Sequence, residues 1–126
     1  MTATVLDTVL DPFVRGDTFR YEFDLGNDWL GVDFSGGVKF TLRKRLPATT
    51  ITSDTDASVV DQATTDANEI TFNGEVGTVI IPASRTQNWP APKKLYWDIQ
   101  GVVASTGFRK TIDGGTIEIE SDVTRS

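Results

Sequence analysis

Short segments in which apolar and polar residues alternate run through most of this chain, and that period of two restricts its fold more than any other feature. Phe19, Tyr21, Phe23 and Leu25 alternate with Thr18, Arg20, Glu22 and Asp24. Successive side chains of a strand point to opposite faces, so the aromatic set shares one face and the polar set the other. "VKFTLRKR" repeats the pattern, with Val38, Phe40 and Leu42 expected inward and Lys39, Thr41 and Arg43 outward. Pro47 ends that strand, because proline cannot donate to a ladder. The Thr-, Asp-, Ser- and Ala-rich stretch 47–68 predicts one short strand near 58–63 between polar loops. "NEITFNG" and "EVGTVIIPA" predict two strands joined around Asn73-Gly74, a dipeptide favoured in tight hairpins. Prolines 82, 90 and 92 limit "PASRTQNWPAP" to about one helical turn.

Further on, Leu95, Trp97, Ile99, Gly101 and Val103 share a face, and Ser105-Thr106-Gly107 can close a hairpin onto "FRKTI". Ile117, Ile119 and Val123 then alternate with Glu118, Glu120 and Asp122. About seven to nine short strands with no sustained 3.6-residue pattern predict an all-β fold. The expected form is a single antiparallel Ig-like β-sandwich, with a small barrel as the alternative. At 126 residues the chain suits one domain. Residues 15–126 are assigned to the sandwich and residues 1–14 to an N-terminal arm or first strand. That arm carries Val5, Leu6, Val9, Leu10 and Phe13, spaced so that a helix would present several of them on one side. Asp7, Asp11 and Pro12 interrupt it, so it either folds back as a strand of its own sandwich or packs on a neighbouring chain.

The tripeptide Arg15-Gly16-Asp17 spells a cell-adhesion motif, but Gly and Asp are also common where a strand begins, and a turn entering the first strand is the expected reading. A formal net charge of −6, with 18 acids against 12 bases, argues against nucleic-acid binding through a broad basic face. The "LRKRL" cluster is too short for that role and suits an acidic neighbour instead. Cysteine and histidine are absent, which excludes disulfides and thiolate metal sites and removes the usual general base near neutral pH. No apolar run approaches the roughly 20 residues that span a bilayer. The N-terminus lacks the basic start and apolar core of a secretory signal, so synthesis without export by that route is expected.

Acids accumulate between Arg45 and Arg85, where no Lys or Arg occurs: Asp54, Asp56, Asp61, Asp66, Glu69 and Glu75. They lack the closely alternating ligands, turn glycine and distal Glu of a helix–loop–helix calcium loop, so a solvated acidic segment is expected and no metal or cofactor. Glu118 and Glu120 lie close together on one strand face, but nothing supplies the cleft that a glycosidase carboxylate pair needs. Trp97 lies on the face of Leu95 and Ile99 and is expected at the centre of the core. Trp89 is expected to plug one end of the sandwich. Trp29, in a loop bearing four glycines, is either core or an anchor at a protein interface.

Three stretches carry a resemblance to known proteins: "VRGDTF" opening the first strand, "VDFSGGVKFTLRK", and "LYWDIQ…GFRKTIDGGTIEIESDVTR". Together they resemble small immunoglobulin-like virion proteins of tailed bacteriophages, including the N-terminal domain of upper baseplate proteins. The resemblance covers most of the chain but not the polar segment 47–68, and it supplies no catalytic motif. It implies a non-enzymatic structural protein, made in the host cytoplasm and carried on the virion. Its role there would be head decoration or cement, or neck, tail or baseplate accessory. The expected partners are other virion proteins and further copies of the chain, with no nucleic acid or membrane. The expected contacts are Val5, Leu6, Val9, Leu10, Phe13 and Trp29. The rival reading is a carbohydrate-binding module that uses Trp29 or Trp89.

Overall fold

A computed structural model describes residues 8–25, 32, 34, 36–44 and 59–121. The strands in chain order are β1 (Thr8–Val9), β2 (Phe13–Val14), β3 (Phe19–Asp24), β4 (Val38–Arg43), β5 (Val59–Thr64), β6 (Ile70–Asn73) and β7 (Val76–Ile81). One helical turn, α1 (Ala83–Thr86), precedes β8 (Lys93–Val102) and β9 (Arg109–Glu120). They form two sheets. One runs β5-β4-β8-β9 and is completed by β1 and β2, both on β9; the other runs β3-β7-β6.

This is an all-β sandwich of immunoglobulin-like strand order. One sheet pairs the first long strand with the hairpin β6–β7, and the other pairs β4 with the hairpin β8–β9 and adds β5 outside β4. Pairing is antiparallel throughout the long strands. The exceptions are β1 and β2, which run parallel to β9.

Alternation builds the core. Phe19 and Phe23 of β3, Val79 and Ile81 of β7, Phe40 and Leu42 of β4, Leu95, Trp97 and Ile99 of β8, and Ile117 and Ile119 of β9 are all buried. Trp97 sits at the middle, stacked on Phe40 with ring centroids 5.9 Å apart and meeting Tyr21 edge-on at 5.1 Å. Its indole N–H donates to the Thr116 carbonyl. Such aromatic pairs stabilise beyond the area they bury.

Two expectations need correction. Thr41 and Arg43 were assigned to an outer, solvated face, yet they are only 4% and 6% exposed. Strand periodicity assigns a side chain to a face but does not say whether that face meets water. The segments "FRKTI" and "GTIEIE" are one continuous strand, not two, running through Asp113-Gly114-Gly115. The register slips there: Ile99 faces Asp113 while Gln100 faces Thr111, so Ile112 is the extra residue of a bulge. The strand expected near 58–63 is present and spans Val59–Thr64. Val5, Leu6, Trp29, Asp54, Asp56 and Val123 lie outside the described residues.

Candidate docking surface

The described part of the arm is seated on its own domain. Thr8 and Val9 pair with Gly115 and Thr116, and Phe13 and Val14 pair with Ile119 and Glu120. The Leu10 N–H donates to the Thr116 carbonyl and the Arg15 N–H to the Glu120 carbonyl, both at 3.0 Å. Of the two readings of the arm, residues 8–14 therefore follow the one in which it folds back. Leu10 and Phe13 are half-buried against the core. Phe13 lies 5.4 Å from both Phe19 and Trp89, ring to ring. Val9 points outward at 76% exposure.

Two polar clusters brace the sandwich. At the β9 bulge, Asp113 accepts hydrogen bonds from Thr8 Oγ1 at 3.0 Å, Tyr21 Oη at 2.8 Å and the Gly114 N–H at 2.8 Å. It thus ties the arm and the opposite sheet to one carboxylate. Burial, and then the adjacent Asp113 carboxylate that accepts its O–H, push the Tyr21 phenol above its ordinary pKa. The second cluster centres on Arg85 of α1, which donates to Asp61, Glu69 and the Gln62 carbonyl. The other oxygen of Asp61 accepts the Trp89 indole N–H at 3.0 Å. Part of the acidic stretch noted in the sequence is therefore consumed by one internal arginine.

Arg15-Gly16-Asp17 forms the turn before β3. The Asp17 N–H donates to the Val14 carbonyl, and Gly16 has φ of +95°, where a side chain is strained. The buried Thr86 hydroxyl accepts the Gly16 N–H at 3.1 Å and donates to the Asp17 carbonyl at 2.7 Å. Arg15 Nη1 reaches the Trp89 carbonyl at 3.4 Å. The tripeptide is fixed to α1. Trp89 is 2% exposed and offers no face to a sugar, which removes one of the two aromatic residues on which the carbohydrate reading drew.

What faces outward is a groove of about 370 Å³ between the arm and β3, lined by Val9, Leu10, Pro12, Phe13, Arg20 and Tyr21. At the opposite end, Lys39, Asp66 and Arg109 border a depression of about 190 Å³. Phe108, in the β8–β9 hairpin, is 64% exposed, and Ile80 and Phe72 are partly exposed on the three-stranded sheet. Sequence reasoning did not single out Asp113, Arg85 or Thr86. The one available signal was Arg85 itself, the first base after a long run of acids. No protein-family model matches the chain, and no curated protein matches it.

Proposed function

We propose that this protein is a non-enzymatic structural component of a tailed-phage virion, docking on neighbouring subunits as a head decoration or cement, or as a neck, tail or baseplate accessory. The observation that supports this most is where its chemistry lies. Among the described residues, the Asp113 and Arg85 clusters are spent on internal partners that brace the sandwich. On the outside, among solvated charges, stand the exposed apolar side chains Val9, Phe72, Ile80 and Phe108 and the edges of the sheets. Such a surface suits packing against other proteins. The likeness of "VRGDTF", "VDFSGGVKFTLRK" and "LYWDIQ" to phage immunoglobulin-like proteins supplies the virion context. Val5, Leu6, Val9 and Trp29 remain the proposed contacts, whereas Leu10 and Phe13 give part of their surface to the core.

Mass spectrometry of purified parent particles tests the reading, followed by cryo-electron microscopy to locate the subunit. The expected result is a fixed copy number that persists through density-gradient purification. Absence of the protein from intact particles would overturn it.

A further inference from the structure

Sheet edges are where a β-sandwich most readily adds a neighbour, because the outward backbone groups of an edge strand have no partner in their own sheet. The described edges differ. β1 and β2 cover β9 with two residues each, and Pro12 between them has no N–H to give. On β5 the one charged residue, Asp61, is held by Arg85 and Trp89. The short edge strand β6 carries no charge. β3 is a full six-residue strand paired, among the described residues, on one side alone, with β7.

The outward groups of β3 follow from its register. The Leu25 N–H donates to the Glu75 carbonyl, and Phe19 to Asp24 pair without a slip from Ile81 to Val76. Hydrogen-bonded pairs alternate in an antiparallel ladder, so Phe19, Tyr21 and Phe23 bond to β7 while Arg20 and Glu22 turn their N–H and C=O groups away from it. Ile80, opposite Arg20, agrees: its N–H donates to Glu69, toward β6. The Arg20 and Glu22 side chains are 61% and 53% exposed and form an ion pair at 2.9 Å. They stand beside the groove described above.

We propose that β3 pairs antiparallel with β3 of a second copy about a two-fold axis through Tyr21, fusing two three-stranded sheets into one. In this register Arg20 lies opposite Glu22 of the second copy and Glu22 opposite its Arg20. The four charges then alternate in sign around the axis, and opposite-charge pairs directly across a ladder are stabilising. Sliding by two residues would set Glu22 against Glu22 in one direction and Arg20 against Arg20 in the other. Sliding by one would oppose outward groups with groups already bonded to β7. Complementary charge thus selects both the edge and its register. A contact this short falls below the roughly 1,200 Å² of a standard interface, so it is weak in solution and strengthens where copies are held side by side. The inference does not need the virion reading.

Sedimentation of the full chain up to about 1 mM tests it, since even weak association, with a Kd near that concentration, still populates a dimer there. The R20E chain presents two carboxylates at this edge and the E22R chain two guanidinium groups, so each repels itself and matches the other. Each variant alone should associate at least tenfold more weakly than the parent, and an equimolar mixture should recover the dimer. Amide shifts of the parent protein on dilution should concentrate in residues 18–24, a readout that needs no variant. A parent that stays monomeric, an R20E chain that associates like the parent, a mixture that stays monomeric, or dilution shifts centred elsewhere would overturn the proposal. A protein that dimerises through β3 but is absent from intact particles would refute the proposed function and leave this pairing standing.

Discussion

Gly115→Ala is the substitution that most directly tests how the arm is seated. Gly115 faces Trp97 of β8 on one side and Thr8 of β1 on the other. A Cβ added there would stand 1.7 Å from the Thr8 carbonyl oxygen and 2.5 Å from its carbonyl carbon, both backbone atoms, so one strand must move. β9 is held to β8 along its length, while among the described residues the arm holds β9 here only through Thr8, Val9 and the Leu10 N–H. The arm is therefore the part that yields. Its departure removes the Thr8–Asp113 bond and the Leu10–Thr116 bond, each worth about 1 kcal/mol net. It also exposes part of Leu10, while the freed residues regain conformational entropy that offsets some of the loss. The net cost is about 1–2 kcal/mol, or a fall of roughly 3–10 °C in Tm for a domain of this size. Calorimetry reads the midpoint, and hydrogen exchange reads which strand moved. The Leu10 amide should lose protection while those of Trp97 and Ile117 keep theirs. An unchanged midpoint with Leu10 still protected would refute the seating of β1 on β9, and collapse of the whole domain would show that β9 yields instead.

Trp97→Ala should cost about 3–5 kcal/mol in denaturant unfolding, because the ring lies at the centre of the core, whereas exposed Glu118→Ala should stay within about 0.5 kcal/mol; equal midpoints would refute the assignment of faces. Thr86→Val keeps the shape but removes the hydrogen bonds that the hydroxyl makes with the Gly16 N–H and the Asp17 carbonyl, and should cost about 1–3 kcal/mol by the same assay. A folded-state Tyr21 pKa raised by burial and by Asp113 means that the neutral phenol contributes stability in full below its unfolded pKa of about 10, and that this is lost as pH rises through the folded value. Tm measured from pH 8 to pH 12 should therefore fall more steeply for the parent than for Tyr21→Phe. Arg43 Nε and Nη1 are buried without hydrogen-bond partners among the described residues, so Arg43→Met should leave stability unchanged or raise it by about 1 kcal/mol; a loss above that size would show that the guanidinium is held.

The strands and their inner faces were legible because they depend on a local period: Phe19, Phe40, Trp97 and Ile117 could each be assigned from two neighbours on either side. The turn at Gly16 and the single helical turn between prolines were legible for the same reason. Arg43 was not, since its burial depends on what covers the other face of its sheet. Gly114-Gly115 resembled a break between strands. It is instead the place where one strand bulges and lets another backbone come close. The Asp113 cluster joins residues up to 105 positions apart, a separation that no local pattern encodes. Charge composition came nearest to finding a cluster, because an acidic stretch ending at its first arginine is what Arg85, Asp61 and Glu69 look like before folding.

The seating of the arm also decides which edge of the sandwich is left open. In the common seven-strand arrangement the first strand lies beside the second, on the sheet that here holds β3, β7 and β6. In this chain it crosses to the other sheet and pairs with β9. Among the described residues the arm covers β9, and β3 is paired with β7 alone. Two local features favour β9: Gly115, whose missing side chain lets Thr8 approach, and Asp113, which accepts the Thr8 hydroxyl. Phe13 then anchors the arm among Phe19 and Trp89, and the turn at Gly16 returns the chain to β3, whose outer edge is unpaired among the described residues. The contacts that seat residues 8–14 on β9 thus leave the β3 edge unpaired among the described residues. A self-complementary pair of charges on that edge is what turns an exposed strand from an aggregation hazard into a contact with a defined register.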